Sequence, residues 1–125
     1  MLSTLLQVAL GGALGASGRY LTGVAAVRIM GHGFPWGTLA VNVLGSMLMG
    51  ALVVVLAHLS ATRLAPFLMT GVLGGFTTFS AFSLDAVTLY ERGQVGLAGA
   101  YVAGSVVLSL AGFAFGLLMA RAFLA

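Results

Sequence analysis

Gly71-Val72-Leu73-Gly74-Gly75-Phe76-Thr77-Thr78-Phe79-Ser80-Ala81-Phe82-Ser83 sets a paired glycine and four hydroxyls in the middle of a long apolar run. Glycine costs roughly 1 kcal/mol against alanine in a helix interior, and Thr and Ser offer the backbone competing hydrogen bonds. The stretch therefore reads as a helix interrupted at mid-membrane depth. Carbonyls freed there are tolerable only when buried in protein or facing an ion or water. Broken helices at the midplane are a recurring way of building ion sites, so the interruption is itself a functional expectation.

Everything around it asks for lipid as solvent. The chain has 125 residues, 61% hydrophobic and only 6% charged, with mean hydropathy +1.17. Too little polar surface is available to cover a soluble core. Four apolar segments follow from the charges, prolines and turn residues: about 5–27, 38–59, 66–90 with the break near 74–78, and 96–121. Each is near or above the ~20 residues a spanning helix requires. The connections are short, so neighbours must be antiparallel and both termini share a side. The expected fold is a single all-α domain of four transmembrane helices. No Lys/Arg cluster precedes the first segment, which argues against a cleaved signal peptide.

Cysteine is absent, so no disulfide or thiolate site is available. With two His and the peripheral carboxylates Asp85 and Glu91, no nucleophile–base or metal-ligand set of an enzyme can be assembled. The five Arg are scattered and make no nucleic-acid patch. Apart from Arg19 they divide evenly by side, Arg63 and Arg121 on the terminus side, Arg28 and Arg92 on the other. So weak a bias leaves no strong reason to insert one way only, and pairing of oppositely oriented copies becomes a reasonable expectation.

Within the segments, polar residues align. Thr38, Asn42 and Ser46 recur at i, i+4, i+8, as do Tyr101, Ser105 and Ser109. The Asn42 amide brings two N–H donors without a charge. Phe79 and Phe82 share a face, with Ser80 and Ser83 on the next; ring edges are positive and can meet a small anion. Arg19 inside the first segment costs at least ~2.5 kcal/mol unless it snorkels or faces a cavity, and an anion-attracting vestibule is one such cavity. Gly11 with Gly15, and Gly112 with Gly116, supply close-packing faces. No carboxylate falls at the centre of any segment, which argues against proton-coupled transport.

Gly11-Gly12-Ala13-Leu14-Gly15-Ala16-Ser17-Gly18-Arg19-Tyr20, Gly37-Thr38-Leu39-Ala40-Val41-Asn42-Val43-Leu44-Gly45-Ser46 and Gly74 to Ser83 together resemble the small dual-topology fluoride channels called Fluc or CrcB. The likeness covers the whole chain. It implies an antiparallel homodimer in the cell's inner (plasma) membrane, surrounded by lipid, with two parallel fluoride pores and a structural Na⁺ on the two-fold axis. The carbonyls of Gly74 and Thr77 would hold half the Na⁺ shell. Asn42, Phe79, Phe82, Ser80, Thr38, Tyr101, Ser105 and Ser109 would line the pore, and Arg19 its vestibule. The function implied is passive export of F⁻. Ala81 departs from the pattern, which often has Thr there. Two other readings stand beside this one. A four-helix exporter of organic cations would want a membrane-embedded Glu where this chain has Arg19. A non-conducting assembly protein would leave the break and the hydroxyl rows without a purpose.

Overall fold

The computed structural model describes residues 1–125 and is entirely helical. Helix α1 spans Leu2–Met30 and α2 spans Trp36–His58. After a short 3₁₀ turn at Thr62–Leu64, α3 comprises Pro66–Leu73 continued by Gly74–Phe76. Helix α4 runs Phe79–Glu91 and α5 runs Val95–Leu124. Pro66 opens α3 where its missing N–H costs nothing. The first part of α3 is wound wide, in the π manner: the Gly74 N–H reaches back five residues to the Met69 carbonyl. Such winding is rare and tends to accompany functional sites.

Three stretches, Trp36–His58, Thr62–Glu91 and Val95–Leu124, are long and apolar enough to cross a membrane. Helix α1, at 29 residues, reaches about 43 Å at 1.5 Å per residue, more than the ~30 Å hydrocarbon layer. It is not among those three, because Gln7, Arg19, Arg28 and its glycines dilute its hydropathy.

Two glycine-lined crossings hold the helices together. Where α1 meets α3, a Cβ on Gly11 would lie 2.9 Å from the Gly71 Cα and one on Gly75 would lie 2.7 Å from the Gly12 carbonyl. Where α2 meets α5, Gly116 packs against the Met47 carbonyl and Gly50 against that of Phe113. Backbone thus touches backbone, the contact by which helices associate when apolar burial gives no advantage over lipid. Only 16 of 125 residues are buried, and large apolar side chains line the outside, as suits a chain whose surroundings are apolar too. The main buried cluster, Phe82, Leu89, Ala98 and Tyr101, joins α4 to α5, with Phe34 and Leu39 packed against it. It lies just beyond the break and fixes the orientation of the α4 aromatic face.

Candidate functional site

The interruption falls at Thr77 (φ −88°, ψ 159°) and Thr78 (φ −154°, ψ 123°), both extended. Thr77 closes α3: its N–H donates to the Leu73 carbonyl at 3.0 Å and its hydroxyl to the same oxygen at 2.9 Å. Thr78 opens α4 as its N-cap, its Oγ1 accepting the Ala81 N–H at 3.1 Å. Two extended residues between helices leave backbone groups that need partners. Asn42 of α2 takes both from Thr78: Oδ1 accepts the Thr78 N–H at 2.7 Å and Nδ2 donates to the Thr78 carbonyl at 2.9 Å. One amide N–H of Asn42 stays free of these two bonds.

Redirecting those donors has a consequence for the carbonyls behind them. In a continuous helix the Thr78 N–H would reach the Gly74 carbonyl and the Ala81 N–H would reach that of Thr77. Here they go to Asn42 Oδ1 and Thr78 Oγ1. Gly74 and Thr77 therefore both lose the N–H that helical geometry would supply, and Gly74 lies on the exposed side of the chain. The nearby carbonyl of Gly75 accepts from Arg19 Nε at 3.1 Å.

Beside the break, α2, α4 and α5 border an open cleft of about 390 Å³ that brings together Asn42, Thr77, Phe79, Phe82, Ser105 and Ser109. No carboxylate and no basic side chain lines it. The two phenyl rings lie 5.5 Å apart at 47°; Phe82 is 9% exposed and Phe79 78%. Ser105 is 5% exposed, yet its Oγ has no hydrogen-bond partner. Ser17, Thr22 and Ser83, by contrast, donate to their own helix four residues back. A buried hydroxyl without a partner, on a residue that lines a neutral cleft, has a hydrogen bond still to give.

The other expected site residues lie around this cleft rather than in it. Arg19 and Thr38 line a second cleft of about 550 Å³ between α1 and α2, together with Ala81. Thr78 borders both clefts. Ser80 is exposed, its hydroxyl 3.3 Å from Thr78 Oγ1. Tyr101 packs its ring on Phe82 at 5.3 Å but turns its hydroxyl away from Ser105 and donates to Asp85 Oδ2 at 3.1 Å. The row of three hydroxyls on α5 thus serves two directions. Asp85 is the residue that reading the chain did not connect to the site. A signal was present, since Asp85 and Tyr101 stand eight residues either side of Gly93 in an antiparallel pair of helices.

The arrangement offers neutral N–H and O–H donors and ring edges to something small, with cationic Arg19 nearby and oxygen atoms on the far side of the break. Residues 6–117 match the family described as CrcB-like protein, Camphor Resistance (CrcB). A protein of Cereibacter sphaeroides named fluoride-specific ion channel FluC is 70% identical over 125 residues, covering 100% of both chains. Proteins of the same name from Ruegeria sp. and Paracoccus denitrificans are 62% and 57% identical, each alignment covering 97% of both chains.

Proposed function

The chain belongs to the CrcB-like family, and we propose that it is a passive, fluoride-selective channel. Relatives named as fluoride channels support this, and make it a multi-pass membrane protein and a transporter rather than an enzyme. The observation that carries the reading is the unpartnered Ser105 hydroxyl in a carboxylate-free cleft beside Asn42 and Phe82. Fluoride is small and holds its water tightly, so a pore must replace that water with donors in series. The free Asn42 N–H, the hydroxyls of Ser105 and Ser109 and the ring edges of Phe79 and Phe82 are such donors, and none carries a charge that would trap the ion. Arg19 and Thr38 form the approach, Arg19 raising the local anion concentration. Tyr101 and Ser80 flank the path, one through its ring and one at the exposed end of α4.

The full arrangement is an antiparallel homodimer in the inner membrane, surrounded by lipid, with all four hydrophobic segments spanning, α1 included. Fluoride leaves the cytoplasm down its gradient through two pores, one on each side of the two-fold axis. The Gly74 and Thr77 carbonyls fit a structural Na⁺, since both have lost their helical donor and neutral oxygens suit a hard monovalent cation. When bound, the ion would supply a fixed positive charge that holds the breaks of two copies together. A single chain contributes two carbonyls, so the partner copy would complete the shell.

Export of organic cations is disfavoured by Arg19, which would repel such a substrate at the approach. The test is F⁻ efflux from liposomes measured with a fluoride-selective electrode. The reconstituted chain is expected to release F⁻ and retain Cl⁻, and both Phe82→Ile and Asn42→Asp to lose most of that flux. A parent protein that releases no F⁻ refutes the channel. Full flux from both variants removes Asn42 and Phe82 from the path.

A further inference from the structure

Aromatic side chains form an unbroken ladder from the α1–α2 turn to the break. Trp36 packs on Phe34 at 4.6 Å; Phe34 meets Tyr101 edge-on at 5.4 Å and 90°; Tyr101 meets Phe82 at 5.3 Å, and Phe82 meets Phe79 at 5.5 Å. The first rung is unusually rigid for a connecting segment. Pro35 lies at φ −80°, ψ 66°, and the Trp36 N–H donates to the Phe34 carbonyl at 2.8 Å, closing an inverse γ-turn whose φ the proline ring already restricts. Phe34 is thereby held against the buried α4–α5 cluster from outside both helices.

We propose that Phe34 is a positioning residue of the pore, acting through Tyr101 to set the angle of the Phe82 ring. The Tyr101 ring is 1% exposed and packed among Phe82, Leu89 and Ala98; its hydroxyl donates to Asp85, and on the side of the turn Phe34 meets it at 90°. Without the Phe34 ring, space opens on that side of Tyr101 into which its ring can tilt, and Phe82 rests on it. Phe34 removes that freedom. Trp36, itself exposed, packs on Phe34 from the outer side. A ring meets an anion favourably only with its edge, so a residue outside the cleft that sets the ring angle controls selectivity within it.

The proposal rests on the channel reading above, and the test separates the two. F⁻ and Cl⁻ efflux are measured from liposomes for the parent, Phe34→Leu, which keeps apolar volume but no ring, and Phe34→Tyr, which keeps the ring. In Phe34→Leu the F⁻ rate is expected to fall about three- to tenfold, the scale of one aromatic pair, and the F⁻/Cl⁻ ratio to fall with it. Phe34→Tyr is expected to restore both. Pro35→Ala keeps every ring and only loosens the turn; it is expected to lose part of the selectivity, and serves if Phe34→Leu does not elute as the parent does. In a Tyr101→Leu background, Phe34→Leu is expected to change nothing further. A conducting parent whose Phe34→Leu and Pro35→Ala variants keep parental rate and ratio overturns the proposal and leaves the channel standing. So does an equal loss from Phe34→Leu with and without Tyr101.

Discussion

Replacing Asn42 by Ala removes two hydrogen bonds at once, because one side chain serves both backbone groups of Thr78 at 2.7 and 2.9 Å. Thr78 is extended between two helices, so neither group has a helical alternative. A buried backbone group left unpaired costs ~1–3 kcal/mol, which for two gives about 2–6 kcal/mol. Thr78 is only part-buried and borders an open cleft, so water recovers some of this and the low end, about 2 kcal/mol, is expected. For a chain of this size that is a melting temperature lower by about 6–8 °C. The assay is thermal unfolding of the detergent-solubilised protein followed by far-ultraviolet circular dichroism, with Ser46→Ala as control. Ser46 lines the same cleft one turn away, so its loss is expected to stay within about 0.5 kcal/mol. Asn42→Asp is expected to fall between, keeping the bond from the Thr78 N–H while facing the Thr78 carbonyl with an acceptor. An Asn42→Ala protein that melts with the parent would refute the view that this amide holds the break open.

Ser105→Ala is expected to split stability from transport: melting unchanged or slightly raised, because a buried unpartnered hydroxyl disappears, while F⁻ efflux falls. Gly15→Ala would drive a methyl into the Val72 carbonyl and to 2.8 Å from the Phe76 N, both backbone atoms that cannot turn aside. A loss of about 1–3 kcal/mol is expected, against little for Gly104→Ala, where nothing lies within 4 Å; parallel melts compare them. Gly93 sits at φ +80° at the end of α4, and Gly93→Ala is expected to cost about 1 kcal/mol in the same assay.

Several features of the site could be read along the chain because they depend on local chemistry. The position of the break follows from Gly74-Gly75 and the hydroxyls after them, and the observed interruption at Thr77-Thr78 lies inside the expected 74–78. Helix ends fall within a few residues of the hydrophobic bounds, since charges, prolines and Gly93 act where they stand. Periodicity alone put Ser105 and Ser109 on one face, and both line the cleft. Periodicity could not say that Tyr101, one turn earlier on that face, would turn its hydroxyl to Asp85.

What the residue order determined by itself was a lipid-embedded helical chain with one interrupted helix, because solvent preference and backbone propensity are properties of a segment. Only the tertiary structure decided how the interruption is resolved. Asn42 lies 36 residues from Thr78, and it is the packing of α2 beside the break that diverts the Thr78 N–H from Gly74. Which hydroxyls stay unspent was decided the same way. Ser17, Thr22 and Ser83 turn back on their own helices, whereas Ser105 is held by its neighbours in a buried position with no acceptor. The residue types set how many donors exist; the crossing of α2, α4 and α5 sets which of them are left without a partner within the fold.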